Sequence, residues 1–195
     1  SGVTAISTYF FTKEATNKTE AALLSALFIA IVPSYISRSV AGSYDNEAVA
    51  IFALVNTFYL WIKACNTGSI LWSVACTLQY FYMVAAWGGY SFIINLIPIF
   101  VVCIMFANKF NMKIYIAYSV FYVMGTMLAM TIPFVTFNAI KSSEHLASHC
   151  VFFVMNAYVM VEWLRENLPA QQFAGLIRVG MAVSLLSFVF AFVFL

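Results

Sequence analysis

Two carboxylates, Asp45 and Glu47, lie in the polar stretch 37–48, Ser-Arg-Ser-Val-Ala-Gly-Ser-Tyr-Asp-Asn-Glu-Ala, between two apolar runs of hydrocarbon length. On a regular helix, residues two apart point about 200° away from each other. In an extended or capping conformation they can face the same way, and the expected placement is Asp45 at or just before a helix start with Glu47 in its first turn. There, two hard oxygen ligands can meet a divalent cation such as Mg²⁺ or Mn²⁺. The same residues also suit a purely structural use, because Asp is a good N-cap and the macrodipole favours acids in a first turn. Spacing leaves both readings open. A second grouping, Glu144, His145 and His149, sets two imidazoles four residues apart beside an acid, which on a helix could face a metal. It lacks the His-Glu-x-x-His order of zinc peptidases, and it reads instead as a solvated loop running into a helix start. The G-x-x-x-x-G-K of a P-loop and the G-x-S-x-G of a hydrolase are absent.

The elements that must position these groups are transmembrane helices. Of 195 residues, 64% are hydrophobic and 8% charged, which excludes a soluble globule. The apolar runs recur at about the 20 residues needed to cross a hydrocarbon core. They are continuous rather than alternating, as helices and not barrel strands would be. The expected fold is all-α, a polytopic transmembrane helical bundle. In chain order, residues 1–12 read as the tail of a span and 12–20 as a polar break. Spans then cover 21–36 with Pro33 near the far end, 48–62, 70–87, 91–107 with Pro98, 114–134 with Pro133, and 150–164, followed by a last run from Phe173. That is about seven full spans plus a partial one, forming part of one transmembrane domain, 1–195. The chain reads as an internal piece of a longer protein.

Charge placement orients the spans. If the first break is cytosolic, that side holds Lys13, Lys18, Lys63, Lys109, Lys113, Arg165 and Arg178, and the other holds Arg38 and Lys141. This obeys the positive-inside rule, and a one-span shift inverts it. Asp45, Glu47, Glu144, His145 and His149 then face away from the cytosol, while the sequon Asn17-Lys18-Thr19 stays cytosolic and unglycosylated. No basic tract suits nucleic acid. The four scattered cysteines form no disulfide or zinc framework. Glu162, beside Arg165 and Glu166 near a span end, is expected to snorkel or pair locally, and Gln79, Asn95 and Asn156 to hydrogen-bond between helices.

The stretch Tyr35-Ile36-Ser37-Arg38-Ser39-Val40-Ala41-Gly42-Ser43-Tyr44-Asp45-Asn46-Glu47 closely resembles the catalytic subunit of eukaryotic oligosaccharyltransferase. So do Tyr80-Phe81-Tyr82-Met83-Val84, Trp87-Gly88-Gly89-Tyr90, Ile94-Asn95-Leu96-Ile97-Pro98 and Ser142-Ser143-Glu144-His145, and the resemblance covers essentially the whole chain. It implies part of a C-type glycosyltransferase membrane domain in the endoplasmic reticulum, multi-pass, with Asp45 and Glu47 facing the lumen. The luminal C-terminal domain of that family is absent from these residues.

The implied reaction transfers oligosaccharide from dolichyl diphosphate to the Asn of N-x-[ST] sequons by metal-assisted inverting substitution. Asp45 and Glu47 would be catalytic as ligands of Mn²⁺ or Mg²⁺. Trp87, at the luminal end of its span, would pack against carrier or sugar, although an interfacial Trp needs no such role. Implied partners are the dolichyl-diphosphate-linked oligosaccharide, the acceptor polypeptide, membrane lipid and other oligosaccharyltransferase subunits. The 195 residues alone are expected to be inactive. A cation-binding transporter is the competing reading, opposed by the lack of a mid-span acid. An inactive scaffold subunit is another, opposed by the intact acidic pair.

Overall fold

In a computed structural model, the described residues are 2–40, 42, 45–169, 171–176, 178 and 180, and their regular elements are all helical. The elements are α1 (Gly2–Thr16), α2 (Thr19–Ile31), α3 (Pro33–Ser39), α4 (Asn46–Thr67), α5 (Ile70–Ala86), a 3₁₀ turn (Gly88–Tyr90) and α6 (Ser91–Phe106). They continue with α7 (Met112–Met130), α8 (Asn138–Lys141), a second 3₁₀ turn (Ser143–His145) and α9 (Leu146–Asn167). Four helical stretches among the described residues are long and apolar enough to cross a membrane: 46–67, 88–106, 112–130 and 143–167. The bent pair α2–α3 makes a fifth, and α5 falls just short with 17 residues. The chain is thus an all-α bundle of membrane-spanning type. Most of the run expected from Phe173 onward lies outside the described residues.

Several boundaries differ from the expected ones, α4 running to Thr67 rather than 62 and the polar break 12–20 narrowing to 17–18, and proline explains two further differences. The run 21–36 breaks at Val32, whose backbone is extended, and α2 and α3 meet at 56°. Pro33 opens α3 at its first position, where the missing N–H is not needed. The α7 helix stops at Met130, short of 134, because the residue before Pro133 is disfavoured in helical backbone. Where a loop 135–149 was expected, α8 and a 3₁₀ turn intervene and α9 begins at Leu146.

The chain divides into two compact units, Ser1–Phe152 and Phe153–Leu195. The second contains the expected local ion pair, with Arg165 Nη1 3.6 Å from Glu162 Oε1. In the first, α1 packs on α2 and α4, and α4 and α5 pack on each other and on α7. Its centre is aromatic. Trp61 of α4 sits 5.9 Å from the Phe121 ring and 6.3 Å from that of Tyr118, both on α7, and Tyr80 of α5 lies 5.2 Å from Phe121. Against lipid there is little hydrophobic drive between helices, so close packing of this kind holds the bundle together. Asn95 departs from expectation: its amide donates to the Ser91 carbonyl one turn back in its own helix.

Hydrogen bonds sort the helix ends into two faces. Asn66 at the end of α4 donates to Glu14 of α1 (3.0 Å) and accepts through its carbonyl from Lys113 of α7 (3.1 Å). At the opposite end, Asn46 of α4 donates to the Ala86 carbonyl of α5 (3.1 Å). The Tyr90 and His145 rings meet there at 5.7 Å. The lysine-rich loops gather on the first face and the carboxylates Asp45 and Glu47 on the second. Within the first face, Gly68 turns α4 into α5 at φ +71°, and an added Cβ would lie 2.7 Å from Lys113 Cγ. Gly68→Ala should therefore cost about 1–2 kcal/mol from the left-handed backbone alone. A thermal melt of the full-length protein checks this, and Lys113→Ala should relieve only the steric share. An unshifted melt would refute the assignment.

Candidate functional site

The site is built where α3 meets the start of α4. Tyr35, buried in α3, shares a 2.6 Å hydrogen bond with the Thr4 hydroxyl of α1, and its own hydroxyl reaches the Ala48 carbonyl of α4 at 3.4 Å. These contacts pin α3 against the first turn of α4. Arg38 lies three residues on, on the same helix face, and its Nε meets Glu47 Oε2 at 3.1 Å. Asp45 occupies the N-cap of α4 in extended backbone, as its spacing requires, and its Oδ1 accepts from the Asn46 N–H at 2.7 Å. Glu47 stands in the first turn. The pair therefore flanks the positive end of the α4 dipole.

Solvent reaches the pair. Asp45 is exposed, the Glu47 side chain is 30% exposed and that of Arg38 54%. An ion pair this open contributes little to stability; its value is to hold Glu47 in one orientation. Asp45 and Glu47 each commit one carboxylate oxygen to the contacts above and keep a second. Among the described residues, no group of three or more His, Cys, Asp or Glu is placed to share a metal. Two carboxylates still match Mg²⁺ in donor type, since that ion keeps waters and is commonly held by one or two carboxylates together with substrate phosphates. The residues present fit a divalent cation as a partial donor set.

Trp87 caps the C-terminus of α5 immediately after Ala86, whose carbonyl accepts from Asn46. Its half-buried ring lies over Gly89, where an added Cβ would come within 2.1 Å of it. Glu144 is exposed, but His145 is buried against the Tyr90 ring, with Nδ1 2.7 Å from the Ser142 hydroxyl. The expected solvated loop is therefore a packed turn, because Ser142 and Tyr90 give the imidazole a polar partner and an aromatic neighbour. His149 turns to the Tyr122 hydroxyl at 2.8 Å.

Sequence reasoning missed Arg38 as a site residue. It had entered only as a charge on one side of the membrane; the available signal was a basic residue one helical turn after Tyr35 in a short helix opened by proline.

The family model described as Oligosaccharyl transferase STT3, N-terminal, matches residues 1–194. The chain is 49% identical over 175 residues to the dolichyl-diphosphooligosaccharide–protein glycosyltransferase subunit STT3 of Dictyostelium discoideum, covering 90% of this chain and 24% of that protein. It is 46% identical over 183 residues to subunit stt-3 of Caenorhabditis elegans, covering 94% and 24%. With subunit STT3B of Arabidopsis thaliana it shares 48% identity over 184 residues, covering 94% and 25%. The chain thus spans about a quarter of the length of these curated relatives.

Proposed function

Since this chain belongs to the oligosaccharyl transferase STT3 family, we propose that it forms part of the membrane domain of an enzyme of protein N-glycosylation. That enzyme would move an oligosaccharide from dolichyl diphosphate to the Asn of N-x-[ST] sequons. The observation that carries the reading is the exposed arrangement of Asp45, Glu47 and Arg38 at one end of the bundle.

Asp45 and Glu47 would hold Mn²⁺ or Mg²⁺, which supplies charge neutralisation for a diphosphate leaving group. Arg38 keeps the Glu47 carboxylate aimed at the site. Its remaining guanidinium N–H groups can meet a phosphate oxygen, which a lysine would do with less geometric control. The cap bond fixes the Asp45 oxygen against the α4 N-terminus, so the pair needs little reorganisation during transfer. Trp87 offers an aromatic surface beside the α4 start for carrier or sugar. The lysine-rich opposite face supports a luminal orientation of the site in the endoplasmic reticulum membrane. The polypeptide acceptor and further subunits of the transferase complex complete the system, and these 195 residues alone are inactive.

The test uses the full-length protein in nanodiscs, with a fluorescent Asn-x-Thr peptide and a dolichyl-diphosphate glycan. Chelation should abolish transfer, and Mn²⁺ or Mg²⁺ should restore it. Undiminished transfer in excess chelator would remove the metal reading, and no transfer under any condition would remove the glycosyltransferase reading.

A further inference from the structure

The segment between α7 and α9 has a sidedness that an ordinary loop does not need. Ile132, Val135 and Ala139 are buried, whereas Phe134, Phe137 and Ile140 are 56%, 68% and 52% exposed. Most of its backbone is internally bonded: the N–H groups of Ile132, Val135, Thr136, Asn138, Ala139, Ile140, Lys141 and Ser142 all donate to carbonyls three or four residues back. Pro133 has no N–H to satisfy. Such a backbone tolerates a boundary where water is scarce.

Its place in the bundle sets its depth. The far end of α7 is tied by Lys113 to Asn66 on the lysine-rich face, so the segment following Met130 lies at the opposite membrane boundary, the one that carries Asp45. On the flanking helices, Val123 and Met127 of α7 and Leu146 at the start of α9 are also exposed. Lys141 ends α8 with an exposed side chain, able to reach headgroups while its stem stays among apolar groups.

We propose that residues 131–141 form an interfacial anchor, with Phe134, Phe137 and Ile140 seated in the acyl–headgroup boundary of the leaflet on the Asp45 side. The occupant is lipid rather than protein. The segment directly follows a helix long and apolar enough to cross a membrane, and it combines an apolar exposed side with a terminal cation, as interfacial segments do.

The experiment replaces Phe134, Phe137 and Ile140, one at a time, with p-benzoylphenylalanine in the full-length protein in native-lipid nanodiscs. Met127 serves as the membrane-facing control and Glu144 as the exposed polar one. After irradiation, mass spectrometry should find lipid adducts at the three positions comparable to those at Met127 and roughly tenfold above those at Glu144. Crosslinks to polypeptide instead of lipid would show that protein covers the stripe, and adduct yields at the Glu144 level would show it in water. Either result overturns the anchor. All three positions are exposed, so the substitutions leave the packed core untouched.

Discussion

Asp45→Asn and Glu47→Gln in the full-length protein should each lower glycan transfer by roughly 10²–10³-fold, the usual loss when a group stabilising developing charge is removed. The substitutions are chosen against the structural reading. Asn caps a helix about as well as Asp, so Asp45→Asn keeps the bond to the Asn46 N–H and should leave the melting temperature unchanged. Glu47→Gln breaks the contact with Arg38, an exposed ion pair worth about 0–1 kcal/mol. Loss of transfer with an intact fold therefore isolates the chemical role. If both variants transfer normally over a Mn²⁺ titration, the two acids are only a cap and a first-turn charge.

The second large effect is on stability. Phe121 is fully buried between Trp61 and Tyr80, at ring distances of 5.9 and 5.2 Å. In water its truncation would lose transfer free energy and packing together. In a bilayer the transfer part shrinks, because lipid tails are as apolar as the core. What remains is the void: roughly 100 Å³ at about 24 cal/mol per Å³ gives about 2 kcal/mol for Phe121→Ala. Val123 on the same helix is 44% exposed, so Val123→Ala should stay within about 0.5 kcal/mol. Reversible unfolding in bicelles compares the two. Equal costs would mean that the aromatic centre does not hold the bundle.

The spans were legible because hydrocarbon thickness imposes a length on every apolar run, and the N-cap at Asp45 was legible because Asp is a preferred cap at the head of an apolar run. Tertiary placement was not. Arg38 is nine residues from Glu47, and only the Pro33 break and the Tyr35 contacts with Thr4 and Ala48 bring them together. His145 read as solvated because it sits among Ser142, Ser143 and Glu144; its burial depends on the Tyr90 ring, 55 residues earlier in the chain. Gly68 and the Lys113 stem show the same limit, since the glycine marks a turn but not the side chain that crowds it.

The brevity of α5 bears on the lipid around it. Seventeen residues rise about 26 Å, and Leu71, Leu78 and Tyr82 on this helix are exposed, so the surrounding lipid must match that height. A bilayer with a hydrocarbon layer of about 27 Å does so nearly undeformed, whereas one of about 32–33 Å must thin around the helix, at fractions of a kcal/mol per Å. The helix therefore acts as a local ruler, setting the height that the lipid touching it must meet.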